Sequence, residues 1–267
     1  MNTGLDRGIM DLGLTGKVAI VTGSSRGIGR YIAGRLVEEG CRVTLCARSE
    51  DDVEQVRLQL IEAGGDVIGF VGDLTEPDAP ARLIEATMDY FGQLDILVNN
   101  VGGNRRKLFE ETTDEDWEAI LDLNLMAHVR CSRAAIPIMR QRGGGSIVFI
   151  SSIFGREAGG PGLSLYNTTK SAVISLAKIM ALELASQNIR VNSVAPGSIR
   201  FPGGSWDRRV QQDPEAMKAF IQANLPIGRF GTADEVADVV TFLVSPRASL
   251  ITGACLNVDG GQSRSLI

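Results

Sequence analysis

The stretch VAIVTGSSRGIG, residues 18–29, joins an apolar strand-like run to a glycine-rich turn and to the start of an amphipathic helix. Gly23, Gly27 and Gly29 give the turn a G-x-x-x-G-x-G spacing. Glycine permits a tight turn there and lets backbone N–H groups approach a pyrophosphate at the helix N-terminus. A plain glycine-rich turn is the alternative, but the position between a first strand and a helix favours a nucleotide-binding loop.

Outward from this stretch, short β-branched runs alternate with longer amphipathic runs almost from end to end. The predicted strands are Val18–Val21, Val43–Leu45, Val67–Val71, Ile96–Val98, Ile147–Ile150, Val191–Val194 and Cys255–Val258. The predicted helices are Ile28–Glu39, Asp51–Ala63, Ala79–Phe91, Asp114–Met139, Leu165–Ala185 and Ala233–Leu243. Apolar strands separated by helices form parallel sheets that are covered on both sides. The pattern predicts a single doubly wound, Rossmann-type α/β domain with a mostly parallel seven-stranded sheet and helices on both faces.

Two segments depart from the alternation. Residues 1–13 predict a poorly ordered N-terminal extension ahead of a single catalytic domain, residues 14–267. The long segment 200–231 lies at the carboxyl edge of the predicted sheet and includes a helix-like run, Asp213–Ala223. It is a candidate substrate lid, and a packed surface excursion is the alternative.

As a lid, the segment 200–231 would supply an apolar wall of Phe201 and Trp206, with Leu163 and Leu165 opposite. Such a wall favours a moderately hydrophobic alcohol or ketone as substrate. The neighbouring Arg208 and Arg209 could hold an acidic substrate or could simply be solvated.

The composition limits the classes of function. The chain has 267 residues, 44% of them hydrophobic, and a formal net charge of −5, which argues against a nucleic-acid surface. The first ten residues lack the apolar core of a secretory signal, and no apolar run is long enough to span a bilayer. We therefore expect a cytoplasmic protein without a membrane partner. Four cysteines without a C-x-x-C motif and a single histidine argue against a metal site.

The residues after the second strand indicate which dinucleotide is bound. Enzymes that use NAD(H) often hold the ribose hydroxyls with an acidic residue at this place, but here the strand ends in Leu45-Cys-Ala-Arg-Ser49. Arg48 stands next to the missing acid, and Arg26 of the glycine turn would lie near the same ribose. Two guanidinium groups suit a 2′-phosphate through charge-assisted, bidentate contacts. NADP(H) is therefore predicted in preference to NAD(H), and two solvated surface arginines are the alternative.

Tyr166 and Lys170 lie four apart at the start of a predicted helix, so that phenol and ammonium share one face. An exposed pair without a task is the common case, but Ser152 precedes them at the carboxyl end of a strand, where ligands bind in open α/β sheets. A phenol with a pKa near 10 is a poor proton donor at neutral pH. A fixed ammonium about 4 Å away would lower the phenol pKa by roughly three units at an effective dielectric near 20.

The ordered motifs resemble the short-chain dehydrogenase/reductase family over nearly the whole chain, from about Leu14 to Gly261. The matching motifs are TGSSRGIG at 22–29, GDL at 72–74, NNVG at 99–102, Asn124 within DLNLMA, ISS at 150–152, the Tyr166 and Lys170 pair, APG at 195–197 and VDGG at 258–261. Y-x-x-x-K alone would occur by chance in many proteins, whereas the ordered set is highly specific.

The resemblance implies a catalytic tetrad of Asn124, Ser152, Tyr166 and Lys170. It selects Ser152 over the neighbouring Ser151, because Gly155 follows three residues later. Ser152 would donate a hydrogen bond to the substrate carbonyl oxygen, and Lys170 would also bind the nicotinamide ribose. Asn124 would hold a water that links Lys170 to solvent; an asparagine that only interrupts its helix is the alternative.

The resemblance also implies the cofactor-binding residues. Asp73 and Leu74 would flank the adenine, Asn100 and Gly102 would line the nicotinamide ribose, and Ile199 would touch the carboxamide. The complete predicted set is Gly23, Ser25, Arg26, Gly27, Ile28, Gly29, Arg48, Asp73, Leu74, Asn100, Gly102, Tyr166, Lys170, Pro196, Gly197 and Ile199. The sequence departs from the family at Val101, where alanine is usual, and at Phe201, where a cofactor-contacting threonine is common.

The implied activity is the NADP(H)-dependent interconversion of a secondary alcohol and a ketone, with Tyr166 as general acid/base. A 3-oxoacyl thioester reductase of fatty-acid synthesis and a non-catalytic NADP(H) sensor are the alternatives, although a sensor has no need of the tetrad. Family members pair their two long helices, here Asp114–Met139 and Leu165–Ala185, across subunits, which implies a homotetramer. His128 has no partner acid or nucleophile in sequence reach and is interpreted as a packing or interface residue.

Overall fold

The structure is a computed structural model that describes residues 11–266. Its strands are β1 Val18–Thr22, β2 Arg42–Ala47, β3 Val67–Val71, β4 Ile96–Asn99, β5 Gly145–Ile150, β6 Ile189–Pro196, β7 Ile199–Arg200, β8 Gly231–Thr232 and β9 Cys255–Val258. Seven of them form one sheet in the order β3-β2-β1-β4-β5-β6-β9, and every pairing is parallel. The strand order reverses between β1 and β4. In sheets of this kind, ligands bind in the crevice at the carboxyl ends of the two strands where the order reverses.

Helices cover both faces of the sheet. They are α1 Gly27–Glu38, α2 Glu50–Glu62, α3 Ala79–Phe91, α4 Asp114–Leu121, α5 Ala127–Gln141, α6 Ser164–Leu184, α7 Ser205–Gln212, α8 Pro214–Asn224 and α9 Ala233–Val244. One apolar cluster packs α1, α2 and α9 on one face, and a second packs α3, α5 and α6 on the other. Cys41 and Cys46 belong to different clusters, as an odd offset around a strand requires. The predicted fold class is confirmed.

The predicted helix Asp114–Met139 is wrong as a single element. α4 ends at Leu121, a π-helical turn spans Asp122–Met126, and α5 begins only at Ala127. The π turn carries Asn124, whose buried side chain hydrogen-bonds the backbone of a neighbouring loop. Such single-turn interruptions often accompany functional sites.

The segment 200–231 is more regular than its sequence predicts. The helix-like run Asp213–Ala223 corresponds to α8, but α7 and the two-stranded β7–β8 sheet were not predicted. Trp206 of α7 stacks with Phe220 and Phe230, with ring centroids 4.7 and 5.2 Å away. The Trp206 ring therefore packs within the segment itself, and its place in an apolar wall that faces a substrate stays a prediction.

The start of the predicted N-terminal extension, Met1–Met10, lies outside the described residues. At its other end, the Asp11 carbonyl accepts a hydrogen bond from Arg247 Nε at 2.7 Å, and Leu12 packs against an apolar cluster. Among residues 11–266, no helix has both the length and the hydropathy to cross a membrane.

Candidate active site

The glycine loop between β1 and α1 is held by its neighbours. Gly23 and Gly27 have φ angles of 63° and 57°, which favour glycine. A Cβ at Gly29 would overlap the Gly23 carbonyl and the Asn100 amide. Asn100 Nδ2 donates to the carbonyls of Thr22 and Gly23 at 2.9 and 3.0 Å. Asn100 therefore shapes the loop through its side chain, whereas its predicted contact with the nicotinamide ribose stays a prediction.

The loop also satisfies the conditions for binding a phosphate. Arg26 is the N-cap of α1 and forms no side-chain cap bond, so the first N–H groups of α1 have no side-chain partner at this position. On the opposite side, Ser24 is tied to β2, because its hydroxyl accepts from Cys46 N at 2.9 Å. Sequence reasoning missed Ser24 and Thr22 as loop anchors, although both lie inside the T-G-S-S motif. A glycine cradle with uncapped helix N–H groups fits a pyrophosphate.

At the predicted 2′-phosphate site, Arg48 lies next to Asp73. Their side chains form an ion pair of 3.6 Å, with 72% of the Arg48 side chain exposed. Burial raises the pKa of Asp73, but hydrogen bonds from Thr75 and the charge of Arg48 outweigh it, so the net pKa lies below its ordinary value. Asp73 is thus a carboxylate. Arg26 is exposed, and in the described part of the chain no ion pair involves it.

Several other predicted cofactor residues surround this loop. Leu74 is buried and packs in the cluster of α3. Ser25 is partly exposed and Ile28 packs partly buried on α1. Across the crevice, Pro196 ends β6, and a Cβ on Gly197 would lie 2.7 Å from Cβ of Asp259. Ile199 is buried in β7.

Phe201 links the segment 200–231 to the glycine loop. A Cβ on Gly27 would lie 2.9 Å from the Phe201 ring, and a Cβ on Gly204 would lie 2.8 Å from it. The ring therefore fills a slot between two glycines beside the N-terminus of α1. Its place in the predicted apolar wall stays a prediction.

Ser152 and Ser151 have different partners, as alternation along β5 predicts. The Ser151 hydroxyl donates to the carbonyl of Lys170 at 2.9 Å, and so faces the backbone of α6. Ser152 lies at the carboxyl end of β5, where its hydroxyl accepts from Phe154 N at 3.2 Å, and it is close enough to Tyr166 to act on the pKa of the phenol. This arrangement supports Ser152 as the residue of the pair that meets a substrate.

Lys170 is a buried cation behind Tyr166. Its Nζ donates to the Ile150 carbonyl at 2.8 Å and lies 5.8 Å from the centroid of the Tyr166 ring. Burial lowers the pKa of Lys170 to about 8. A Cβ on Gly102 would lie 3.4 Å from this Nζ and 3.2 Å from Oδ1 of Asn124. Gly102 thus lets the backbone after β4 pass directly over the lysine and the asparagine.

The predicted lowering of the Tyr166 pKa is wrong in direction. Burial raises the pKa of Tyr166, because it disfavours the phenolate, and the Ser152 hydroxyl only opposes this effect. The ammonium of Lys170 is directed toward a backbone carbonyl and not toward the phenol oxygen. Tyr166 is consequently protonated at neutral pH, which is the form that donates a proton.

Asn124 clamps the loop after β4 to α6. Its Oδ1 accepts from Gly103 N at 2.8 Å, while its Nδ2 donates to the Gly103 carbonyl at 2.9 Å and to Thr169 Oγ1 at 3.0 Å. Both amide protons are therefore used within the protein, and the predicted role of Asn124 in holding a water stays a prediction. Gly103 and Thr169 were not identified from the sequence, because neither belongs to a motif.

His128 is a packing residue, as its sequence context predicts. It is fully buried beside Phe149, and its Nε2 lies 2.7 Å from the Val101 carbonyl. Burial and then the charge of Lys170 lower the pKa of His128 to about 3. The imidazole is therefore neutral and donates its Nε2 proton to Val101.

Comparisons with known proteins match nearly the whole chain. The sequence profile of the family described as Enoyl-(Acyl carrier protein) reductase matches residues 23–263. The chain is 35% identical to a 3-oxoacyl-[acyl-carrier-protein] reductase of Thermotoga maritima, over 93% of this chain and 98% of that protein. It is 40% identical to Dehydrogenase/reductase SDR family member 4 of Oryctolagus cuniculus, over 95% of this chain and 96% of that protein.

A solved structure agrees with the sequence comparisons. L-Sorbose reductase of Gluconobacter frateurii, complexed with NADPH and L-sorbose, superposes with a TM-score of 0.92 at 35% identity. The superposition covers 96% of this chain and 100% of that chain.

Proposed function

The chain belongs to the short-chain dehydrogenase/reductase family, and from that membership we propose that it is an NADP(H)-dependent oxidoreductase that interconverts a secondary alcohol and a ketone. One observation carries the proposal. A protonated phenol, a serine hydroxyl and a buried lysine meet at the carboxyl edge of the sheet, on the side where the glycine loop opens.

The residues around the glycine loop fit a dinucleotide. The uncapped N-terminus of α1 would hold the pyrophosphate, and Arg48 and Arg26 would hold the 2′-phosphate that distinguishes NADP(H) from NAD(H). The L-sorbose reductase that superposes on this chain is itself complexed with NADPH, which supports the same choice. When bound, NADPH supplies the hydride, and NADP⁺ accepts it in the reverse direction.

In the direction of reduction, the side chains of the tetrad orient the substrate and move the proton. Ser152 donates a hydrogen bond to the carbonyl oxygen and so fixes its position beside Tyr166. The protonated phenol then gives its proton to the oxygen as negative charge develops there. Lys170, with a pKa of about 8, is mostly an ammonium at pH 7 and stabilises the phenolate that remains. In the direction of oxidation the steps are reversed: Tyr166 first gives its own proton to solvent, and the phenolate so formed takes the proton of the alcohol.

A second activity has a specific observation in its favour. The relative from Thermotoga maritima is a 3-oxoacyl-[acyl-carrier-protein] reductase, so reduction of a 3-oxoacyl thioester is the alternative within the same chemistry. A non-catalytic NADP(H) sensor is the alternative outside it.

We also propose a cytoplasmic homotetramer. α6 exposes two large apolar residues, Ile179 and Leu182, which are 51% and 68% exposed. An apolar stripe on a long surface helix fits a contact with a second copy of the chain.

A substrate screen tests the function. Purified protein is incubated with NADPH or NADH and with aliphatic ketones, ketoses and 3-oxoacyl thioesters, and consumption of the reduced cofactor is followed by absorbance. We expect consumption of NADPH with at least one ketone class. Consumption with thioesters alone would favour the alternative reductase. Saturable NADPH binding with no consumption in any class would favour the sensor and contradict the proposal.

A further inference from the structure

Two loops meet at the mouth of the proposed catalytic cleft, and both are anchored to its catalytic residues. The loop 103–108 begins at Gly103, which is hydrogen-bonded to Asn124. The loop 156–163 connects the region of Ser152 to α6, the helix that carries Tyr166. The loops touch where Lys107 N donates to the Gly162 carbonyl at 3.2 Å.

Arg106 lies across this junction. Its Nη2 donates to the Pro161 carbonyl at 3.1 Å. A Cβ on Gly162 would lie 3.0 Å from its Cγ and 3.5 Å from its Nε, and a Cβ on Gly160 would lie 3.8 Å from its Nη2. The guanidinium therefore runs along a glycine-rich backbone, and the side chain as a whole stays exposed. Only one of its five N–H groups has a partner in the described residues.

Arg105 and Lys107, on either side of Arg106, form ion pairs, whereas Arg106 forms none in the described residues. Arg105 and Lys107 both bind the buried carboxylate of Asp116. Their hydrogen bonds, that of Lys107 first, hold the pKa of Asp116 far below its usual range, so this carboxylate is fully committed to them. Glu157 of the facing loop is turned away, since its carboxylate accepts from Ser263 Oγ and from the backbone N–H of residue 264. Within residues 11–266, no carboxylate lies in ion-pair distance of Arg106.

The position of Arg106 limits the size of what it can bind together with Tyr166. Gly162 precedes Tyr166 by four residues, so their Cα atoms are at most about 14 Å apart even for a fully extended chain. Residues 164–166 are already helical, which shortens that distance. The backbone that Arg106 crosses therefore lies within about 14 Å of the Cα atom of Tyr166.

We propose that Arg106 is a specificity-determining residue that binds an anionic group, a carboxylate or a phosphate, carried by the ketone or alcohol substrate. The proposal rests on the proposed function, because it needs a carbonyl that reacts at Tyr166. A guanidinium with free planar N–H groups is suited to both anions, whose oxygens accept two parallel hydrogen bonds. The substrate is thus an oxo acid or an oxo phosphate, or the corresponding hydroxy compound.

The test uses pairs of ketones that share a carbonyl and differ in charge. The pairs are 3-oxobutanoate and its methyl ester, 5-oxohexanoate and its methyl ester, and dihydroxyacetone phosphate and dihydroxyacetone. Steady-state kcat/KM with NADPH is measured for each member. We expect at least one anion to be preferred over its neutral partner by about tenfold or more, with the preference falling as salt is raised. The pair that shows the preference distinguishes carboxylate from phosphate.

Variants assign the preference to Arg106. Arg106→Gln, which keeps a donor for the Pro161 carbonyl, should abolish the preference through KM while leaving kcat for the neutral member unchanged. Arg106→Lys should retain part of it. Arg105→Gln is the matched control, because it removes the same charge from a side chain already committed to Asp116, and it should preserve the preference.

The possible failures are distinguishable. Equal kcat/KM for charged and neutral members, or an anion preference that survives in Arg106→Gln, would overturn the role of Arg106 and leave the proposed function intact. No reduction of any ketone, with NADPH bound, would instead be a failure of the proposed function.

Discussion

Lys170 is a buried cation whose only hydrogen-bond partner in the described residues is the carbonyl of Ile150. Its pKa of about 8 is below the ordinary 10.5 because burial disfavours the charged form. Between these two values the unfolded chain binds more protons at this residue than the folded chain does. The free energy of unfolding therefore gains a contribution that rises with pH through this window.

Replacing Lys170 with methionine should remove that contribution. We expect the difference in unfolding free energy, wild type minus Lys170→Met, to rise by about 3 kcal/mol between pH 8 and 10.5. Urea unfolding at a series of pH values measures it. A difference that stays flat or falls over this range would show that Lys170 keeps an ordinary pKa in the folded chain.

Arg48 and Arg26 are the residues on which the choice of cofactor depends. Arg48→Gln and Arg26→Gln should each raise the KM for NADPH by about tenfold, because each removes a charge-assisted contact with the 2′-phosphate. The KM for NADH, which lacks that phosphate, should change little. Arg30→Gln is a control, since Arg30 is an exposed arginine on α1 that hydrogen-bonds Gln59. Equal effects on both cofactors would remove these residues from the phosphate site.

At the residue scale, the sequence motifs predicted which residues form the candidate site but not how the site shifts their pKa values. The neighbourhood of Ser152, Tyr166 and Lys170 follows from a strand end and a four-residue helical spacing. The direction of the Tyr166 pKa shift could not be predicted in this way, because it depends on how deeply the ring is buried and on which atom Lys170 Nζ contacts. Arg106 was overlooked for a similar reason: its proposed role depends on the backbone it crosses, in which Pro161 lies 55 positions away in the chain.

The glycine loop and the segment 200–231 are two elements that meet at one aromatic ring. Gly27→Ala would put a methyl group 2.9 Å from the Phe201 ring at a residue with φ of 57°. We expect the variant to lose about 2 kcal/mol or more of unfolding free energy, from the left-handed backbone and from overpacking together. It should also bind NADPH more weakly. Chemical denaturation and cofactor titration measure the two effects.

Two further variants separate the causes. Gly64→Ala is the control for backbone strain alone, because Gly64 has a φ of 92° and no atom within 4 Å of its Cβ position. Adding Phe201→Ala to Gly27→Ala should cost less than the sum of the two single changes. Strict additivity would mean that the ring does not constrain the loop.

The elements of the main sheet could be predicted because each strand is a short apolar run between breakers. All seven predicted strands occur, and their ends shift by only a few residues. The interruption at Asn124 could not be located from periodicity, since Asp122–Met126 continues an amphipathic pattern while its hydrogen bonds become π-helical. α7 was missed because its eight residues are mostly polar, and its stability comes from contacts such as that of Arg200 with Asp207.

The whole molecule leaves an apolar stripe on α6 exposed, and the proposed homotetramer would cover it. Leu182→Glu should shift the protein to a smaller assembly, because a buried unpaired carboxylate opposes association. Leu58→Glu on α2 is the matched control, at 53% exposure, and should leave the assembly unchanged. Analytical ultracentrifugation distinguishes the cases. A wild-type protein that sediments as a monomer would contradict the proposed tetramer.

The account of the molecule depends on Tyr166 as the group that exchanges a proton with substrate oxygen beside bound NADPH. The most direct test compares Tyr166→Phe with Tyr90→Phe, a control that removes an exposed phenol from α3. NADPH affinity by fluorescence titration and ketone reduction are measured for both. Tyr166→Phe should bind NADPH as wild type does and lose about 10²- to 10⁴-fold in kcat, while Tyr90→Phe keeps full activity. Undiminished turnover in Tyr166→Phe would contradict the account.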